Sequence, residues 1–373
     1  MRRRPRSSLF QVTTVAPKQS LPIEIVPFEP RYLKAVIRFS ENTWARPRTE
    51  AFYRWRYLEC PSQIGFLVLE DGECLAMVWA FVQPYQVGPR RLNGLETFDW
   101  FCLPELQGSG LGVRVMQAMM NRPEFIIAAG GTEDTLKLLP RLKWRPHGEL
   151  VKFTLPLEGA ALSMNFKRRF GLPTSVGKAI FQALMKPWFQ ARPKLVIEGS
   201  DVRVASDVEP EILELYASDT GDASVRVPNP RFVSWLSSGL PNRVQFLPLH
   251  FRIRDALRGW SLTCIYRTSL GSEASIIELF APQASEDVYT WMVSETVSAI
   301  SLYRPDRVLA GASVPSVQQA LHRNRFIRRG AVPIQAWWTG PADLLHPIHL
   351  TNETGDALLL PMIDKPIDRK SVV

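Results

Sequence analysis

The sequence has little cysteine and histidine and no long apolar run. Its four cysteines, Cys60, Cys74, Cys102 and Cys264, are scattered through 373 residues without a CxxC pair. That excludes a disulfide scaffold and a cysteine-based zinc site, and it fits reduced, mostly buried thiols. Of the five histidines, His147, His250 and His322 stand alone, while His346 and His349 flank Pro347 and Ile348. None shows zinc spacing, so no metal is expected. No uncharged apolar stretch reaches the roughly 20 residues of a membrane-spanning helix. Residues 1–20 carry Arg2, Arg3, Arg4, Arg6 and Lys18 with no acid, and lack the apolar stretch of a secretory leader. They read as a flexible basic tail on a cytoplasmic protein.

What is present is the composition of a folded protein, 46% apolar, 22% charged and 10% aromatic. The length suits two compact domains better than one. The net charge of +9 is uneven: residues 1–20 contribute +5 and residues 159–197 contribute +7 with no acid. The globular parts are therefore near neutral, and no specific nucleic-acid partner is expected.

Sliding the chain along itself by about 180 residues exposes a repeat. Phe52, Trp55, Pro61 and Phe66 fall opposite Phe232, Trp235, Pro241 and Phe246 at one offset. Further on, Pro104 meets Pro282, FIIAAGG (125–131) meets RVLAGAS (307–313), and LKWRPHG (142–148) meets NRFIRRG (324–330). Each copy begins with a short strand and two helical regions, followed by strands, a long helix and closing strands. Asp71-Gly72 between two apolar runs predicts a tight hairpin. The fold class is α/β: two tandem units, each a mixed central sheet flanked by helices.

Between the copies, Phe166, Phe170, Ile180, Phe181, Leu184, Met185, Trp188 and Phe189 would form one apolar side of a helix whose other side is basic. Two readings stay open. Either this is a linker helix packed on the domains, or it docks to an anionic surface, a membrane or an acyl carrier protein.

The first copy alone contains LPELQGSGLGVRVMQAMM, where a strand ends at Pro104 and a loop with Gly108, Gly110 and Gly112 opens a helix. Glycines let the backbone approach a ligand, and a helix N-terminus offers unpaired amides to an anion, so the loop favours phosphate or pyrophosphate. Val113 breaks the dinucleotide GxGxxG spacing, no GK[ST] ending is present, and Ser109 is not in a GxSxG elbow. Gln107-Gly108-Ser109-Gly110-Leu111-Gly112 does match Q/R-x-x-G-x-G/A, and in this it resembles the GNAT superfamily of acyl-CoA N-acyltransferases. The motif resemblance covers about 22–156, and the order of elements carries the fold to about 200–340.

The resemblance implies a domain plan and a cofactor site. The plan is a tail (1–20), a CoA-binding catalytic unit (21–157), a basic amphipathic connector (158–199), a degenerate second unit (200–342) and a C-terminal tail (343–373). It implies acetyl-CoA or another acyl-CoA as donor. The backbone of Phe101, Cys102 and Leu103 would lie along the pantetheine arm, and the amides of Gln107, Gly108, Ser109, Gly110, Leu111 and Gly112 would hold the pyrophosphate. The second copy lacks the glycines and places Glu286 and Asp287 at its helix start, where carboxylates oppose a pyrophosphate, so it is expected to bind no CoA.

For the general base, Glu96 and Asp99 are the candidates, with Asp99 ahead for its closeness to the CoA segment. Strand alternation puts the two on opposite faces unless a bulge intervenes. The family's usual acid, a tyrosine on the later helix, has no counterpart: Leu138, Leu139 and Pro140 stand there, with Thr132 nearby. Arg46, Arg48, Arg54 and Arg56, interleaved with Trp44, Tyr53, Trp55 and Tyr57, would grip the acceptor, although Phe52 and Trp55 read as core. The expected activity is transfer of an acyl group, most simply acetyl, to an amine of a small molecule such as an amino sugar. The alternatives are an aminoacyl-tRNA- or acyl-carrier-dependent transferase of tandem GNAT type and a non-catalytic acyl-CoA sensor.

Overall fold

The computed structural model describes residues 23–43, 48–122, 124–158, 171, 173–192, 195–205, 208–217, 223–238, 244–268, 271–340 and 348–351. The basic tail, Trp44, Arg46, Phe166 and Phe170 lie outside them.

The first unit contributes β1 (Glu24–Pro27), β2 (Gln63–Glu70), β3 (Glu73–Val87), β4 (Arg90–Cys102), β5 (Phe125–Ala129) and β6 (Arg145–Pro156). The second contributes β7 (Ser200–Val204), β8 (Ser224–Arg226), β9 (Val244–Ile253), β10 (Ala256–Thr268), β11 (Gly271–Phe280), β12 (Arg307–Ala312) and β13 (Ile327–Trp337), and the short β14 (Ile348–His349) follows. Asp71 and Gly72 both take positive φ between β2 and β3, as the hairpin reading requires. Arg254 and Asp255 do the same between β9 and β10, so the repeat preserves the turn while changing its residues.

The units do not close separately. The strand order is β1-β2-β3-β4-β5-β13-β6-β12-β11-β10-β9-β7. Thus β13 from the second unit inserts antiparallel between β5 and β6, and β6 from the first pairs antiparallel with β12. The exchange of closing strands fuses both halves into one 14-stranded sheet. Cutting the chain between 157 and 200 separates the units in sequence, but each sheet is completed by a strand from the other side of the cut.

Helices cover both faces of the first unit. On one, α3 (Leu111–Met120) buries Leu111, Val115, Met116 and Met119 against Val78, Ala80 and Leu95. The spacing of those four residues is the apolar stripe of a surface helix. On the other face lie α1 (Leu33–Thr43) and α2 (Glu50–Arg54), the latter running into a π-helical turn, Trp55–Glu59. The Thr49 hydroxyl caps α2 by accepting from the Phe52 amide at 3.2 Å. Phe52, Tyr53, Trp55 and Tyr57 are buried there with Trp79, Phe81 and Phe98. The second unit's Phe232 and Trp235 join the same cluster. Trp55 stacks on Trp235, its partner in the repeat, with ring centroids 4.4 Å apart, and the Trp235 indole donates to the Trp55 carbonyl. The residues that revealed the duplication are therefore the ones that join its two halves.

Candidate functional site

The parallel pair β4–β5 stays in register only from Gly94/Phe125 to Glu96/Ile127. Beyond that, Ala128 and Ala129 pair with β13, while Phe101 and Cys102 remain with β3. A fork opens whose near edge is the last part of β4. At its mouth the chain turns through Gly108 (φ +87) and Gly110 (φ +86) into α3. Left-handed backbone of this kind is where a side chain is strained, and a Cβ built at either position meets nothing within 4 Å, so the loop faces open space.

The amides of this loop are not equivalent. Gln107 donates to Pro104, Ser109 to Leu106, and Leu111 to the Ser109 hydroxyl. Those of Gly108 and Gly110 make none of these bonds, the Gly112 amide faces the Cys102 thiol, and Gly110 caps α3 without a side-chain acceptor. The Trp100 indole donates to the Gly112 carbonyl at 2.8 Å and fixes the loop to β4. Such an uncapped, glycine-lined helix start suits an anionic diphosphate. The Leu103 amide is already used by the Leu75 carbonyl.

The two carboxylates are brought to one face. Phe98 lies opposite Trp79 and Phe101 opposite Met77, so β4 carries one extra residue here, and Asp99 takes φ +44. This bulge corrects the alternation that would have put Asp99 and Glu96 on opposite faces. Both now point away from α3, toward the aromatic cluster. Asp99 is 2% exposed; its Oδ2 accepts from the Tyr57 hydroxyl at 2.5 Å and lies 2.6 Å from Arg56 Nη2. Arg56, expected at the acceptor surface, is turned inward over the Phe98 ring.

Glu96, wholly buried, accepts from the Tyr85 hydroxyl at 2.6 Å and from Arg226 Nη1 at 3.2 Å. Arg226 Nη2 binds Glu278 at 2.8 Å, and the Thr351 hydroxyl donates to Glu278. Burial alone pulls the Arg226 guanidinium down, but the two carboxylates more than offset this and hold it above its ordinary value. Burial, then the neighbouring carboxylate, pushes the Tyr85 hydroxyl well up. Arg226 also lines a cleft between the units with Gln83, Asn229, Phe232, Trp260 and Glu278. In that cleft Gln83 is buried and its Nε2 has no hydrogen-bond partner.

Sequence reasoning named Glu96 and Asp99, and placed Arg56 and Tyr57 at the acceptor surface, but missed Tyr85, Arg226 and Glu278. One signal was available, a lone arginine in the apolar run SVRVP, because a cation inside a buried strand requires carboxylates around it. Thr132 caps α4 (Glu133–Leu138) through its hydroxyl, and Leu139 is buried behind it. Cys60, Cys74 and Cys264 are buried free thiols and Cys102 is half-buried. No group of three or more His, Cys, Asp or Glu among the described residues is placed to hold a metal.

A duplicated mixed sheet with a forked parallel pair and a glycine loop opening the next helix defines a tandem acyltransferase fold. Residues 30–124 match the acetyltransferase (GNAT) family, whose members use acyl-CoA donors. No curated protein matches the sequence. Solved structures resemble most of the chain in fold. A GCN5-related N-acetyltransferase from Anabaena variabilis shares 12% identity over 84% of this chain and 72% of its own, with a TM-score of 0.57. A tandem GNAT protein from the clavulanic acid biosynthesis pathway shares 10% over 86% and 100%, TM-score 0.51. Saccharomyces cerevisiae N-myristoyltransferase with bound myristoyl-CoA shares 12% over 87% and 85%, TM-score 0.53.

Proposed function

We propose that this chain transfers an acetyl group from acetyl-CoA to the amine of a small molecule, and that the first fork is its only working site. The observation that carries the reading is the uncapped Gly108–Gly112 loop at the mouth of an open fork. The amides of Gly108 and Gly110 hold the diphosphate, and the last residues of β4, Phe101 and Cys102, orient the arm. The donor supplies an activated thioester. Phe81 and Phe98 stack 4.2 Å apart on the face where the acyl group emerges, which favours a short one.

The acceptor enters from the cleft between the units. Arg226 lies in the wall of that cleft and touches Glu96 at the base of the fork, so the second unit builds part of the acceptor site. Asp99, paired with Arg56 and oriented by Tyr57, takes the proton released by the attacking amine, while Glu96 holds Arg226 in place. Most of the rate then comes from positioning and from main-chain dipoles beside the reacting carbonyl. The Gln83 and Asn229 amides in that cleft are hydrogen-bonding groups of the kind an amino sugar engages.

A sensor that binds acyl-CoA without turnover has one observation in its favour, that both carboxylates are already matched by arginines. Thiol release during incubation with acetyl-CoA and a library of amines separates the two readings. Turnover that falls at least about tenfold in Asp99→Asn, within the usual range for a lost general base, supports the enzyme. Tight CoA binding with no thiol release from any amine sinks it.

A further inference from the structure

The connector between the units runs as Thr174–Ile180, a π-helical turn Phe181–Met185, and Lys186–Gln190. Its apolar residues do not share one side, because the π-turn shifts the faces on either side of it. Phe181 and Phe189 are buried in the second unit's core, with Met185 against it. Leu184 is 73% exposed and Trp188 49%. Beside the connector, the turn after helix Glu286–Ser301 carries two more bare apolar side chains, Leu302 at 82% and Tyr303 at 38%.

A cavity of about 160 Å³ lies where these two segments meet, lined by Lys186 and Arg192 of the connector, by Ser301 and Arg304 next to the exposed turn, and by Glu158. Glu158 is matched, since Lys186 Nζ lies 2.7 Å away and the Gln182 amide donates to it. Arg192 and Arg304 make the lining positive. Arg192 Nη1 is buried without a hydrogen-bond partner, and burial pulls its guanidinium below its ordinary value. A buried cationic donor without a partner is costly, and an anion entering the cavity relieves that cost. At the rim, Arg325 lies over the Trp188 ring at 4.8 Å.

We propose that this face docks on an anionic membrane surface, a lipid phosphate entering the cavity at Arg192 and Arg304 while Leu184, Trp188, Leu302 and Tyr303 enter the boundary between headgroups and acyl chains. A soluble phosphate accounts for the arginines but not for the four bare apolar side chains on the two segments that line the cavity. A bilayer accounts for both, since aromatic and basic residues favour its interface. No helix among the described residues is long and apolar enough to cross a membrane, so the contact is peripheral. The proposal does not depend on the acyltransfer reading.

The test is co-sedimentation of the full chain with vesicles of phosphatidylcholine alone and of equal parts phosphatidylcholine and phosphatidylglycerol. Binding is expected only to the second and is weakened by salt. Removing one interfacial cation costs about fivefold in partition, so Arg192→Gln with Arg304→Gln should cost more than about tenfold. Leu184→Ser with Trp188→Ser should lose a similar factor, and Leu302→Ser, in an exposed turn, repeats the test without touching the connector. An unchanged Tm shows that each variant is folded. Equal binding to both vesicle types, or variants that partition like the parent, overturns the proposal. So does inorganic phosphate or an acidic carrier protein binding through the same arginines when no vesicle binding is seen.

Discussion

The molecule contains two forks built on one plan, one open and one filled by the chain itself. In the first unit β4 and β5 part after Glu96/Ile127, the mouth is lined by glycines, and α3 begins without a side-chain cap. In the second, β11 and β12 part after Ser275/Leu309, and residues 348–351 fill the gap. The Leu279 amide donates to the Thr351 hydroxyl, the Gly311 amide to the Thr351 carbonyl, and the Ser313 amide to Leu350, while His349 Nε2 lies 3.2 Å from the Leu279 carbonyl. The following helix is capped by the Ser285 hydroxyl, and its first-turn carboxylates, Glu286 and Asp287, are held by Arg323. The chain's own groups take both places that a pantetheine arm and a diphosphate would need. The second unit lends β13 to the first sheet, Trp235 to its aromatic cluster and Arg226 to its carboxylate.

If that division is right, the joint between the forks is the most sensitive point. Arg226→Met leaves Glu96 and Glu278 buried without their cation, and removing one partner of such a group costs about 3–5 kcal/mol. A lower Tm for Arg226→Met with partial recovery in Arg226→Lys is expected in thermal unfolding. A fully stable methionine variant would show that the units are not tied there.

The plug in the second fork should respond to acid. Burial pulls the His349 imidazole down to about 4, so the folded protein keeps it neutral while the unfolded chain protonates it near its ordinary value. The unfolded state therefore binds the extra proton between those two values. Stability is full above about pH 6.5 and falls toward pH 4, by about 3 kcal/mol at most. His349→Gln should flatten that part of the stability profile. A profile with the same slope in the variant would move the effect to another group.

The first fork is tested by filling its mouth. Gly110→Glu puts a strained backbone and an anion where the diphosphate sits, and CoA affinity should fall by at least about a hundredfold in calorimetry, the scale of losing charge-assisted contacts and gaining repulsion. Normal affinity in the folded variant would take the loop out of the binding site.

The sequence exposed the duplicated fold, the glycine loop and the acids that open the second copy's long helix, because each leaves a local mark: a repeated aromatic, a positive-φ glycine, an acid at a helix start. The features it hid are non-local. Exchange of β6 and β13 leaves no trace in periodicity, since an inserted strand has the same alternation wherever it pairs. The Asp99 bulge reversed a parity argument that needed only one extra residue to fail. The pairing of Glu96 with Arg226 spans 130 positions and is invisible until the sheets are joined. Residues 348–351 read as tail because a segment that fills a fork is recognised by what surrounds it.

The thiols give the mildest and most discriminating comparison. Cys102 sits on the edge of the first fork, half-buried, with its Sγ donating to the Leu106 carbonyl at 3.6 Å. Cys264 occupies a buried strand of the second unit, and burial pushes its thiol far up; Cys60 and Cys74 are pushed up to about 12. Burial raises Cys102 as well, with the Gly112 amide pulling the other way, so it reacts slowly but before the others. A thiol reagent at mildly alkaline pH should therefore modify Cys102 first. Coenzyme A at about ten times its Kd should slow that step by about tenfold, because only the unliganded fraction reacts. Peptide mapping reads both effects. Unprotected Cys102, or protection that appears at Cys264 instead, would mean the arm lies in the second fork and the comparison between the two has been drawn the wrong way round.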